Sequence, residues 1–419
     1  MSARLHDPFR YQWFFFLSRH ARDQETQRRE RADAFGKILE SAWQWAGEAS
    51  PVPEVPSELS RPPQVSRRLA YRPWQEWNGR LRELEARTLL DCFYLQVGQA
   101  FSGPASPEAF SRLTPYALPP HTPAINAGAY VGENACLGAI VGDTALPPEW
   151  PETAREILQQ ELPHRKELPD LQRIRQTALP VAGGMALPVT EGETEILILL
   201  YPQEAEEAIS RFLYFVVPQL WLSRVKFRFI RRRYYEALYP TTQEQERSLD
   251  ALLKQGLEPR LPLSKLEALS ARVSRRHASF IESVSTVEEE RESLRVSLRN
   301  LQLLLEEPVW ESPARERAGV LWEDLQLFLE QMETDLRYWK VTRQQSELAL
   351  QNLLTVAGVR GAQWERRITV VLGVFAAIGL AQVFPHSPIP RLADAWWQAG
   401  VISLGSLIVV LASWWLSRR

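Results

Sequence analysis

Cysteine is nearly absent. Cys92 and Cys136 are the only two in 419 residues and stand in unrelated contexts. Two cysteines so placed build neither a disulfide framework nor a cysteine zinc site, which fits a reducing compartment for the soluble part. Histidine is scarce as well: six scattered residues give no metal-ligand spacing. Charge of one sign is not in excess. The formal net charge is −2, which argues against nucleic acid as a partner. Catalytic signatures are missing too, with no P-loop, no GxGxxG after a strand, no HExxH and no GxSxG. The glycines of residues 128–142 are spaced wrongly for either phosphate loop. Nothing in these patterns argues for an enzyme, and the cofactor, if any, is unknown. The early apolar patch Trp13-Phe14-Phe15-Phe16-Leu17 is too short for a signal-peptide core, and no small-residue cleavage site follows it. Export by a signal peptide is therefore not expected.

Long apolar runs are confined to the end of the chain. Residues 368–384 read ITVVLGVFAAIGLAQVF, and residues 399–416 read AGVISLGSLIVVLASWWL; neither holds a charge. Each is just long enough to cross a hydrocarbon core, which takes about 20 residues. The first run begins at Ile368, carries Gly373 and Ala377 and ends at Phe384. The second includes Val401 and ends at Leu416. Trp364, Trp396, Trp397, Trp414 and Trp415 lie at the ends, where indole rings favour the interface. Arg366 and Arg367 precede the first run, Arg418 and Arg419 follow the second, and the loop between has only Arg391, offset by Asp394. The expectation is a two-span protein of the cell inner (plasma) membrane, with both termini cytoplasmic and the lipid bilayer as its partner. The alternative is a helical hairpin buried in a soluble core. Gly373, Ala377 and Ala381 recur every four residues, a stripe that lets helices approach closely, within the hairpin or in a homo-oligomer.

Ahead of the spans lies a helical region, expected over residues 241–362. Ser264 and Glu267 form a capping-box pattern. Leu266, Val273, Phe280, Val287, Leu294 and Leu301 then fall every seven residues, with Ser270, His277, Val284, Arg291, Leu298 and Leu305 at the second heptad position. Pro308 and Pro313 break the pattern. A second series follows, through Trp322, Leu325, Leu329, Met332, Leu336, Trp339, Leu350 and Leu353. The simplest arrangement is an antiparallel coiled coil turning near Pro308 and Pro313, with arms of roughly 45 residues and about 65 Å. Arg291 would then face Glu330 and Glu333. Ser270, His277, Arg291, Arg343 and Ser346 interrupt the apolar seam, and Gly358 with Gly361 marks a hinge before the bilayer.

The remaining region mixes periods. Residues 22–47 read as an amphipathic helix, and residues 50–68, rich in Pro and Ser, as a linker. Leu81, Leu84, Thr88, Leu89, Phe93 and Val97 suggest a helix over 76–100. Strand signals follow at 136–141, at 176–181 and 185–189 around Gly183-Gly184, and at 195–201. An α/β (or α+β) cytosolic domain is thus expected over 70–240, after a helical segment and linker at 1–69 and before the stalk; the membrane domain would take 363–419. Residues 212–222, FLYFVVPQLWL, read as a buried helix kinked at Pro218. Directly after come Arg224, Lys226, Arg228, Arg231, Arg232 and Arg233, interleaved with Phe227, Phe229 and Ile230. Pairing with acidic residues of the stalk is the plain reading of these six. Contact with an anionic lipid, or with another phosphate-bearing ligand, is the functional one.

The order of these parts, most closely residues 348–384 where stalk runs into first span, resembles the CorA family of divalent-cation channels. The resemblance implies an ion channel or transporter, a homopentamer and a pore lined by the first span. That family carries Gly-Met-Asn at the outer end of this span. Here the stretch is Val383-Phe384-Pro385-His386-Ser387-Pro388, so no filter residue carries over and no metal site is assigned. The same two-helix layout is used by membrane-permeabilising effectors of bacterial antiviral defence (conflict) systems, and a non-conducting tether or scaffold would share it. Polar side chains are few in the spans: Thr369 and Gln382 in the first, Ser403, Ser406 and Ser413 in the second.

Overall fold

The computed structural model describes residues 5–18, 25–47, 66–77, 80–118, 129–164, 167–191, 194–256, 262–310 and 322–383, with side chains as far as Gly373 in the last helix. The chain divides into two compact units, residues 1–239 with 286–335, and residues 240–285 with 336–419.

The first unit is built on a nine-stranded mixed sheet. Its strands are β1 (Leu5–Leu17), β2 (Ser66–Trp77), β3 (Arg80–Leu89), β4 (Cys92–Ala100), β5 (Pro104–Ala105), β6 (Tyr130–Ile140), β7 (Leu179–Val181), β8 (Gly184–Glu191) and β9 (Thr194–Tyr201). The order is β2-β3-β4-β1-β6-β9-β8-β7, with β5 on β1, and the pair β6 and β9 is parallel. The apolar patch of residues 13–17 is therefore the heart of a central strand. It reads as an unbroken apolar run because both faces of the sheet are covered. The sheet domain thus takes in residues well before residue 70: β1 pairs with β4 and β6 across most of its length.

Strand alternation sorts the two faces. Arg10 sits opposite Leu137 and Tyr11 opposite Cys136, so Arg10, Gln12, Phe14 and Phe16 share one face while Tyr11, Trp13 and Phe15 share the other. On the first face lies helix α1 (Glu25–Trp45), whose Phe35, Ile38, Leu39 and Ala42 pack with Phe14, Phe16, Leu84, Ala86, Phe93 and Leu95. Phe35 stacks on Phe93 with ring centroids 4.7 Å apart. The short α2 (Ala109–Arg112), then α3 (Trp150–Glu161) and α4 (Leu171–Thr177), close the rest of this face over Leu137, Ala139, Leu187, Ile196 and Ile198.

The expected helix over 76–100 is instead the hairpin of β3 and β4. Its two-residue turn is Leu90-Asp91, with Leu90 at φ +56°. Hairpin turns with positive φ normally announce themselves with Gly or Asn; neither is present here. Every residue of β4 is buried, so the alternation that marks a strand is lost and the apolar spacing fits a helix by coincidence. The glycine hairpin does form, with Ala182 and Gly183 both at positive φ between β7 and β8.

After β9 the chain turns helical through α5 (Glu206–Arg211), α6 (Val217–Arg233) and α7 (Tyr239–Gly256). The irregularity near Pro218 is a π-helical turn over Phe212–Val216, with the proline in the first turn of α6. Proline donates no amide hydrogen and crowds the carbonyl four residues back, and a wide turn accommodates both. Two long helices follow, α8 (Leu263–Leu305) and α9 (Glu323–Val383). In the first unit Arg295, about ten residues before the end of α8, meets Glu333, about ten after the start of α9, at 2.6 Å. The two helices therefore run antiparallel there. Glu333 takes Arg295 rather than Arg291, one helical turn away from the expected partner.

The six positions from Leu266 to Leu301 are all buried. The second heptad position drifts. Ser270, His277 and Val284 are buried, but farther along Ser297 and Leu304 are buried in place of Leu298 and Leu305. An α-helix of 3.6 residues per turn slips about 20° per heptad against a 3.5 repeat, and over this length the slip moves the seam by one residue.

In the second unit α7 lies with Gly256 against both Leu269 and Leu353, and Thr342 donates to Glu246 at 2.8 Å. Leu353 is the last buried residue of α9. Beyond it the helix continues without a break through Gly358 and Gly361, so these glycines interrupt nothing. Among the described residues no helix is long and apolar enough to cross a membrane. Of the expected spans, Ile368 and Gly373 lie on α9 and are exposed, and Ala377 lies on its backbone. Phe384, Val401 and Leu416 lie outside the described residues.

Candidate functional site

The second face of the sheet carries a polar row. Strand register aligns Glu85, Gln96, Trp13, Asn134 and Glu195 across β3, β4, β1, β6 and β9. All five are buried, and buried polar groups need partners. Trp13 Nε1 donates to Gln96 Oε1 at 2.9 Å. Glu85 meets Arg87 at 2.8 Å and Arg68 at 2.7 Å. The other end of the row is served by α6, which seats Val225 over Gly132 so closely that a Cβ there would lie 2.9 Å from a Val225 methyl.

This seating decides the fate of the basic segment. Arg224 binds Glu195 at 2.7 Å and Asp324 at 2.8 Å. Arg228 reaches Glu195 at 3.0 Å and donates to Asn134 at 2.6 Å. Lys226 pairs with Asp91 of the Leu90-Asp91 turn. Arg233 pairs with Glu290 at 2.5 Å. Burial pulls the Arg224 guanidinium down, but Glu195 and Asp324 outweigh it and hold it above its ordinary value. Burial likewise disfavours the charged Lys226, and the Asp91 carboxylate, by charge and hydrogen bond, favours it. Arg224, Lys226 and Arg228 thus point into the fold, paired with sheet and stalk carboxylates. Arg231 and Arg232 are exposed, with Arg231 over the Phe227 ring at 5.9 Å. Tyr234, next in line, donates to Asp335 at 2.5 Å. The segment behaves as a clamp that joins the sheet to the long helices within this unit.

A groove of about 420 Å³ runs beside the clamp. Its charges cancel: Arg28, Lys226 and Arg233 stand among Asp91, Glu289 and Glu290. Such a lining offers no preference for an anion or a cation.

One further group stands out. Glu83 is fully buried, accepts from Tyr11 and Tyr214 at 2.9 Å each, and is also bonded by Tyr71. Burial raises its carboxyl above the usual range against the pull of the tyrosine hydroxyls. Burial also pushes both cysteine thiols well above their ordinary range, which leaves them protonated and unreactive. Among the described residues no three His, Cys, Asp or Glu side chains gather to hold a metal ion.

Sequence reasoning found the basic segment but not its partners. Asp91 was hidden in a stretch read as helix, and Glu195 gave no sign beyond opening a strand. Comparison with protein-family models and with curated protein sequences found no match.

Proposed function

We propose that this chain is an integral protein of the inner (plasma) membrane in which the sheet domain acts through the two long helices on a two-span membrane domain, as in a gated ion channel. The observation that carries this reading is α9. It starts at Glu323, joins the clamp through Asp324, and continues as one helix to Val383. Past Leu353 none of its described side chains is buried, and Trp364, Ile368, Val370 and Leu372 are exposed. An apolar helix end of this kind needs a cover. The two charge-free runs with arginines on their outer flanks support the bilayer as that cover. Few polar side chains are available to line a pore, which favours a pathway that opens on a signal over one that is always open. Coupling would run through the ion pairs of Arg224 and the hydrogen bond of Tyr234, both of which end on α9. A homo-oligomer is required, since two helices enclose no pore.

Two measurements test the reading. A cysteine placed at Ser387 is expected to label with an impermeant reagent from outside intact cells; labelling only after lysis would refute the topology. Purified protein in liposomes is expected to release a small ion or dye under some condition that perturbs the clamp, such as Asp324→Ala. Correct topology with tight liposomes throughout would leave a membrane tether, without conduction.

A further inference from the structure

The second unit holds a groove of about 510 Å³ between α7 and α8. We propose that it binds a soluble phosphate-bearing ligand, a site distinct from the clamp and from the membrane domain.

The wall on α8 is basic. Arg272, Arg275 and Arg276 stand at positions i, i+3 and i+4, so their side chains share one face, and Ser279 extends that face by a turn. Like charges at this spacing repel. All three arginines are exposed, and none has an ion pair among the described residues. The facing wall on α7 is Ser248, Ala251, Leu252 and Gln255, again one helical stripe, and it contains no carboxylate. The helix does carry acids nearby. Glu246 is turned to Thr342 and Asp250 to Lys254. The acids of α7 thus lie within a turn of its lining residues along the helix, but the stripe that lines the groove is neutral. The contrast with the charge-balanced 420 Å³ groove is plain.

The chemistry follows from the lining. Three guanidinium forks on one face match the oxygens of a polyanionic phosphate, each able to bond two at once. Ser248, Ser279 and Gln255 add neutral hydrogen-bonding groups, and Ala251 with Leu252 offers an apolar patch for the rest of a ligand. The volume is that of a small-molecule site, which typically spans roughly 300–1,000 Å³. A phosphate could also come from a lipid headgroup, and position speaks against it. Gly256 sets Leu269 level with Leu353. From Leu353 the helix rises about 22 Å to Ile368, at 1.5 Å per residue, and the arginines lie a further turn or two the other way. They would stand about 30 Å from the start of the hydrocarbon core. That step rests on the membrane reading; the phosphate chemistry does not, so a failed topology test leaves the site standing.

The test is calorimetric titration of the full chain in detergent with sodium pyrophosphate and with ATP, at physiological salt and without divalent metal. Saturable binding of at least one is expected, weakened at least about tenfold in Arg275→Gln/Arg276→Gln, as befits loss of charge-assisted hydrogen bonds. Arg275→Lys/Arg276→Lys should fall between, since charge remains and the fork is lost. The unliganded double glutamine variant should melt no lower than the parent, because repulsion is relieved. Should it fail to fold, Arg272→Gln serves in its place. The proposal is overturned if neither probe binds saturably, or if binding survives the glutamine changes undiminished. It is equally overturned if only phosphatidylserine vesicles bind, which would assign the groove to headgroups, or only polyglutamate, which would assign it to acidic peptides.

Discussion

Arg224 and Glu195 meet at 2.7 Å, and the same guanidinium reaches Asp324 at 2.8 Å. One side chain on α6 thereby holds a sheet strand and the head of the helix that leads toward the proposed membrane domain. Arg228 shares Glu195 from the next turn of α6. Glu195 thus serves two largely buried guanidiniums at once, and removing it leaves Arg224 to Asp324 and Arg228 to Asn134.

Glu195→Gln keeps the shape and removes the charge. Breaking a buried pair by deleting one partner costs about 3–5 kcal/mol. Because Asp324 still serves Arg224, the lower end of that range is expected, read as a fall of several degrees in the thermal midpoint. Glu207→Gln, which breaks the exposed pair with Arg211, should leave the midpoint in place. Equal effects for both would remove the clamp as a structural device.

The Glu83 site gives a pH dependence. Its carboxyl is raised above 4.5 in the fold because burial disfavours the charged form. The folded state then holds a proton that the unfolded state releases. The contribution to stability is full below about pH 4.5 and is lost as pH rises through the folded value. Glu133 and Glu161 are raised by burial as well and act in the same direction. Glu83→Gln should flatten the decline in thermal midpoint above pH 4.5, since an amide stays neutral and can still accept from Tyr11 and Tyr214. An unchanged slope would mean that the carboxyl titrates alike in both states.

How much of this was legible in the sequence depends on whether the signal was local. The seam from Leu266 to Leu301 was, since each position repeats at a fixed spacing. So were the glycine hairpin and the strand read at 195–201, which runs from Thr194 to Tyr201 in the fold. The hairpin of β3 and β4 was not, because its turn uses Leu90 at positive φ and its second strand is buried on both faces. The clamp was half legible. Its basic residues fall within ten positions of one another, but Asp91, Asn134, Glu195 and Glu290 come from four separate parts of the chain, and only strand register brings Asn134 beside Glu195. The arginines at 272, 275 and 276 look in sequence like any solvated coiled-coil face; the neutral stripe opposite them is visible only once α7 is in place.

His277 tests the seam. It is buried at a core position of α8, and its Nε2 has no hydrogen-bond partner among the described residues. An unsatisfied buried polar atom costs about 1–3 kcal/mol, so His277→Leu should raise the thermal midpoint. A polar seam residue can also fix register and partner number. The same variant should therefore show a broader distribution of oligomer masses in detergent. A lower midpoint would mean that His277 makes a favourable interaction in the native assembly.

Val356 and Val359 test what covers the far length of α9. Both are exposed, as is Leu354 between the last buried residue, Leu353, and the expected start of the bilayer at Ile368. Nothing among the described residues packs on them, so Val356→Lys and Val359→Lys should leave the thermal midpoint of the monomeric fold within the scatter of surface changes, about 0.5 kcal/mol. A second copy of α9 is the cover that the proposed channel supplies at this level, because the spans must assemble around a common axis. The two lysine variants should then lower the oligomer mass in detergent and abolish ion release from liposomes, while the Ser387→Cys labelling from outside is retained. Gly373→Leu, five residues into the first span, should lower the mass as well if the small-residue stripe lies between copies. Loss of mass with Gly373→Leu alone would place the contact inside the bilayer and leave the juxtamembrane turns of α9 solvated. No change with any of the three would remove the oligomer, and with it the pore, in favour of a single-copy tether.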